Sequence, residues 1–261
     1  MKHHRLLAML LLGSLLTAGS CGFGAAQERA ASGLPDNAAE LDALLDRKEY
    51  LKLTQMMRGV NQGEIVLLNM NWSRQKMLAG RTAFVNYLYL YDLYRVMGHP
   101  SASGLKKTAV MVGLYTYELI HIDGAKCEDR SAPEHRRDQL FSNYPKVWKE
   151  VPNFSEADRE AMIRTALGLE ARTAAGRADD EFLCRDGMAE YSASFKKFGD
   201  NAGREVPTPP GGYGKTIVIE TDPDYRPAFR KKQEWLPEQE KLRSAMPSML
   251  AKVIEAAGQA K

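Results

Sequence analysis

Glu118, His121 and Asp123 are the residues of this 261-residue chain whose types and spacing come closest to chemistry. Residues three apart share a helical face, so Glu118 and His121 can present a carboxylate and an imidazole together. That pairing suits a metal ion or proton transfer, with Asp123 as a further carboxylate two residues on. A helical di-iron centre needs a second Glu-x-x-His motif and additional carboxylates. The sequence holds no second copy, and His99 and His135 are the only other histidines after residue 26. The simpler expectation is structural. An unpaired carboxylate is costly to bury, so Glu118, in the most apolar helix of the chain, is expected to be buried and paired with Arg95, Arg74 or a tyrosine hydroxyl, with His121 at the helix end.

Tyr87, Tyr91 and Tyr94 recur at i, i+4 and i+7, and Tyr115 and Tyr117 fall on the next apolar segment. Tyrosines offer an apolar ring and a hydroxyl, so such a face can line a ligand pocket or simply pack. Gly214-Lys215-Thr216 imitates the end of a phosphate-binding loop, but Pro209 stands where its first glycine belongs and a strand pattern follows instead of a helix. Asp179-Asp180-Glu181 and Asp222-Pro223-Asp224 lack the spacing of a calcium loop. No Gly-x-Ser-x-Gly element is present. Nothing in these residues calls for a cofactor, and enzymatic activity has no positive support.

The first 26 residues bear on compartment. Lys2 and Arg5 precede the uncharged apolar run Leu6 to Leu16, and Gly24-Ala25-Ala26 has the small-x-small form of a signal-peptidase site. This predicts a signal peptide over 1–26 and a protein that is periplasmic or secreted. An alternative lies in Ala18-Gly19-Ser20-Cys21, a lipobox-like run in which Cys21 would carry a lipid anchor on the periplasmic side of the envelope, although Ala18 occupies a place usually held by a larger aliphatic residue. Either way Cys127 and Cys184 remain in the body of the protein. An even pair in an oxidising compartment is expected to form a disulfide, and no C-x-x-C or zinc spacing competes.

Without residues 1–26 the chain carries 34 basic and 33 acidic residues. That balance argues against nucleic acid or an anionic membrane surface as the main partner, since both select clustered positive charge. The longest later apolar run, Ala109 to Tyr117, is too short to span a bilayer, so no transmembrane helix is expected in the mature chain.

Residues 27–35 are small and polar and are expected to be disordered. Helical periodicity starts at Asp36 and runs to Met57, with Gly59 as its stop; further helices are expected over Glu64–Leu78, Arg81–Met97 and Leu105–Ile122. The last two are apolar around most of their circumference and should form the central pair. Another helix is expected over 134–151 with a kink at Pro145, then one started by a Ser155/Asp158 capping box, then one over 180–198 carrying Cys184. Gly and Pro dominate 199–214, a linker by composition. Thr216 to Ile219 reads as a strand paired with Arg204–Val206, and one or two terminal helices follow, with Pro237 and Pro247 as starts or breaks.

The expected fold is therefore mainly α: an irregular bundle of six to eight helices over 36–198, one disulfide, a hairpin-bearing linker over 199–225, and C-terminal helices over 226–261 docked on the core. The functional expectation is an exported, non-enzymatic protein that binds an envelope component or a protein partner. The alternatives are a small-ligand or metal-binding protein using Tyr87, Tyr91, Tyr94, Glu118 and His121, and a hydrolase whose site no motif announces.

Overall fold

In the computed structural model, residues 33–208 and 215–259 are described. The signal-peptide and Cys21 readings, and all of 27–35 before Gly33, lie outside those residues. Of that stretch, Pro35 is buried and the Gly33 carbonyl accepts a hydrogen bond from Asn71 Nδ2 at 2.7 Å.

The described chain is mainly helical, with one disulfide and one two-stranded hairpin, as the sequence leads one to expect. Eleven α-helices occur among the described residues: α1 Ala38–Asp46, α2 Tyr50–Arg58, α3 Gly63–Leu78, α4 Ala83–Val96, α5 Leu105–Ile122, α6 Ser131–Asn143, α7 Pro145–Lys149, α8 Glu156–Thr173, α9 Glu181–Cys184, α10 Met188–Phe198 and α11 Lys232–Gln259. The hairpin joins β1 Gly203–Val206 to β2 Thr216–Ile219, antiparallel, with Arg204 opposite Val218 and Val206 opposite Thr216.

The helix count exceeds the expected six to eight because local backbone chemistry splits three long patterns. The first breaks at Lys48, which takes a left-handed φ of 59°, so α1 and α2 fold against each other around Leu41, Leu45, Leu53 and Met57. At Tyr144 the chain leaves helical geometry, and Pro145 becomes the first residue of α7. A proline is well placed there, because the N–H it lacks has no helical partner in the first turn. Asp186, at φ 64°, separates α9 from α10. The end of the chain shows the opposite outcome: α11 is one continuous helix with Pro237 and Pro247 both inside it. Its buried Gln239, Met246, Leu250 and Ile254 hold it to the core on both sides of Pro247.

The core centres on α5, which is buried from Ala109 to Ile120 except at Met111. It packs on α4, α6, α7, α8 and α11, and α4 is also backed by α3. Two devices fix this packing. The Asp180 carboxylate accepts from Thr82 Oγ1 at 2.7 Å, the Ala83 N–H at 2.6 Å and the Phe182 N–H at 3.1 Å, so one side chain satisfies orphan donors at the starts of both α4 and α9. Ser155 caps α8 by accepting from the Asp158 N–H, as its capping-box pattern predicts.

Cys127 and Cys184 are bonded, with Cα atoms 5.2 Å apart. The link closes 57 residues of chain and on the chain-entropy model stabilises by roughly 4 kcal/mol. The Cys127 segment also bridges Phe229: the Glu128 N–H donates to the Ala228 carbonyl and the Arg230 N–H to that of Lys126. Residues 126–130 are thereby tied to both α9 and the approach to α11. Among the described residues no helix is long and apolar enough to cross a membrane, and the disulfide fits an oxidising compartment.

Candidate functional site

Glu118, His121 and Asp123 do not converge. Glu118 is fully buried, and neither of its oxygens has a hydrogen-bond partner among the described residues. This corrects the expectation that it is paired. Arg74 is taken up by Asn71, and Arg95 by the Val60 carbonyl, Asn61 and Asp92. Burial, with the nearby charge of Glu170 second, pushes the Glu118 carboxyl up to about 8. At neutral pH it therefore keeps its proton, and the core holds a neutral acid where pairing was expected.

Asp123 belongs to a buried network. Arg177 Nε donates to Asp123 at 2.6 Å and Arg177 Nη2 to Glu170 at 2.5 Å; Arg243 also holds Glu170, at 3.1 Å. His121 faces the other way, towards α6. Its Nε2 is buried without a partner among the described residues, its ring lies 4.4 Å from that of Tyr117, and burial, with Arg137 and Arg130 adding to it, lowers its pKa to about 4. Among the described residues no three His, Cys, Asp or Glu side chains gather as a metal-holding group.

The tyrosine face is occupied by packing. The Tyr87 hydroxyl donates to the Arg136 carbonyl at 2.6 Å, and Tyr144 donates to the carbonyl of Tyr87 at 3.1 Å. Tyr91 is covered by the guanidinium of Arg58 at 4.0 Å, and Tyr94 meets the Tyr144 ring edge-on at 5.8 Å. Tyr115 shares a 2.9 Å hydrogen bond with Thr173. Tyr87, Tyr91, Tyr94, Tyr115 and Tyr144 line none of the described cavities, whereas Tyr117 does line one.

A different place in the fold is open. Tyr117 of α5, Phe141 of α6, Pro145 and Trp148 of α7, and Met249, Val253, Ala256 and Ala257 of α11 line a groove of about 500 Å³. The Phe141 and Trp148 rings lie 4.8 Å apart, and Tyr117 is 6.1 Å from Phe141. Trp148 is fixed in place. Its indole N–H donates to the Leu140 carbonyl, and its ring lies over Gly113, where a Cβ would come within 2.8 Å of it. The charged residues of the lining are Lys149 and Lys252.

The α11 sequence carried a sign of this groove that periodicity alone did not single out. Its apolar residues form two adjoining stripes. Met246, Leu250 and Ile254 are buried in the core, whereas Met249, Val253 and Ala257 are half-buried and face the groove. A stripe wider than one helix contact requires is the mark of a second apolar surface.

Another cavity, about 230 Å³ between α1, α2 and the 176–181 loop, is lined by charged residues that pair with one another. There Lys48 holds Glu181, Arg81 holds Asp46 and Arg177 holds Asp123. Compared with protein-family models, with curated proteins and with solved structures, the chain matches none of them.

Proposed function

We propose that this chain is an exported, non-catalytic binding protein whose groove between α6, α7 and α11 receives the apolar part of a small ligand. The groove carries this reading. A concavity of about 500 Å³ walled by aromatic and aliphatic side chains has the size and lining of a small-molecule site. The separation of His121, which faces α6, from Glu118 and Asp123 on the α8 side, with Asp123 taken up by Arg177, favours binding over acid–base or metal chemistry. Export rests on the leader-like residues 1–26 and is supported by the disulfide; a lipid anchor at Cys21 would bring the same groove to the envelope surface.

Two measurements test the reading. The first is the mass of the N-terminus of protein recovered from its host: a chain beginning at Gln27 supports secretion, a lipidated Cys21 supports anchoring, and an intact Met1 rejects export. The second is binding of the neutral apolar fluorophore N-phenyl-1-naphthylamine. Wild-type protein should bind it and Ala256→Trp, at an exposed position on the groove wall, should not. Absence of binding to a folded wild-type protein rejects the groove as a ligand site.

A further inference from the structure

We infer that the groove takes a single-chain amphiphile with an anionic headgroup, its chain against Trp148, Phe141 and Val253 and its head between Lys149 and Lys252. This rests on the groove being a ligand site and adds the charge and form of the ligand.

Charge complementarity carries the argument. Among the described residues no carboxylate lines the groove, and its two cations come one from each wall, Lys149 from α7 and Lys252 from α11. Both are exposed, and neither is ion-paired or hydrogen-bonded to any described residue. The cations lining the other cavities are engaged. Lys48, Arg81 and Arg177 each hold a carboxylate, as do Arg130 with Glu238 and Arg137 with Asp138. At each of these cavities the described residues supply an anion for the cation; at the apolar groove they do not.

An anion seated there gains twice. Two positive charges attract it, and the apolar walls beside them lower the local dielectric and strengthen that attraction. A cationic head meets repulsion with no carboxylate to offset it.

Volume and lining set the rest of the ligand. About 500 Å³ is small-molecule scale, and the ten residues that line it fall short of the roughly 20–30 a side that a stable protein partner covers. The walls offer carbon along their length, with Met249 as an adaptable side chain, which suits a flexible alkyl chain better than a polar ring. A bilayer surface is the poorer fit, because the large hydrophobics most exposed on this protein, Leu51, Met188, Leu67 and Ile217, are not groove residues.

The test uses the folded, full mature chain loaded with N-phenyl-1-naphthylamine, titrated with tetradecanoate, its monoglyceride and tetradecyltrimethylammonium. Tetradecanoate should displace the probe at about tenfold lower concentration than the cationic amphiphile, a preference of the size two partly screened charge contacts supply. Added salt should reduce that preference. Lys149→Ala with Lys252→Ala should abolish it while leaving the neutral probe bound, and Lys149→Glu with Lys252→Glu should reverse it. Equal displacement by all three amphiphiles, with the probe still lost in Ala256→Trp, overturns the anionic assignment and leaves the groove as a ligand site. No probe binding overturns both. Concentration-dependent dimerisation that Ala256→Trp removes, or sedimentation with neutral phosphatidylcholine vesicles, also overturns the inference, since the groove would then serve a second copy or a membrane.

Discussion

Glu118 on α5 and Glu170 on α8 are two buried acids that feel one another and share the burden unequally. Against the upward push of burial, Arg243 and Arg177 hold Glu170 below the usual carboxylate range. That fixed negative charge then helps to keep Glu118 neutral. Because the folded-state pKa of Glu118 is raised from 4.5 to about 8, the folded protein binds a proton there that the unfolded chain releases. Stability from this group is full below about 4.5 and is lost as pH rises towards and through about 8. Glu118→Gln should flatten that loss: thermal melts of wild type should fall across this window, and those of the variant should fall much less. Asp92, which burial pushes up to about 7, contributes a loss of stability over much of the same window in both proteins, so the difference between the two curves isolates Glu118. Parallel slopes in the two proteins would show that Glu118 is ionised in the fold.

His121 works from the acid side. Its pKa falls from 6.5 to about 4 in the fold, through burial first and then Arg137 and Arg130. Its contribution is complete above 6.5 and is lost as pH drops towards 4, where the unfolded chain takes up the proton first. His121→Phe keeps an aromatic ring against Tyr117 and removes the titration. The acid limb of a stability–pH curve should become shallower in this variant, while its alkaline limb matches wild type.

Arg177 is a single cation serving two buried carboxylates, Asp123 and Glu170. Arg177→Ala leaves both without their shared partner and should cost about 3–5 kcal/mol in chemical denaturation. A loss under 1 kcal/mol would mean that water reaches this network in solution.

Gly113 is where α5 makes room for the Trp148 ring. Gly113→Ala should push the indole towards the groove, costing roughly 1–3 kcal/mol by overpacking and weakening N-phenyl-1-naphthylamine binding. Trp emission together with probe affinity checks this; unchanged values for both would show that the ring is not seated on α5.

The disulfide gives the plainest expectation. Alkylation of unreduced protein should label neither Cys127 nor Cys184, and Cys127→Ala should destabilise by about 2–5 kcal/mol.

Much of the fold was legible because its signals are local. The all-round apolar character of α4 and α5 marked the central pair, Ser155 announced its helix, Thr216–Ile219 announced its strand, and the even cysteine count announced the bond. The breaks at Lys48 and Asp186 were harder to read, since each turns on one residue accepting a left-handed backbone and no glycine stands there to advertise it. Pro247 misled in the other direction, because the buried side chains around it outweigh the one hydrogen bond it removes. The site was the least legible part. Glu118 and His121 share a spacing, yet a helix face is wide enough for three residues to meet α8 on one side and α6 on the other. The groove draws its walls from α5, α6, α7 and α11, and no local pattern reports that meeting.

The Cys127–Cys184 bond lies under chain that is synthesised later. Cys127 and Cys184 both precede α11, and the strand-like bridge to Phe229, with the Ala228 and Arg230 backbone bonds, closes over Cys127 only when that last helix docks. Afterwards the two residues are 0% and 3% exposed. A thiol reagent or oxidant therefore reaches these sulfurs most readily while the C-terminal segment is still loose. Docking of α11 thus closes over the cysteines and completes the groove in one event, so that loosening of this helix would expose the bond and dismantle the groove together.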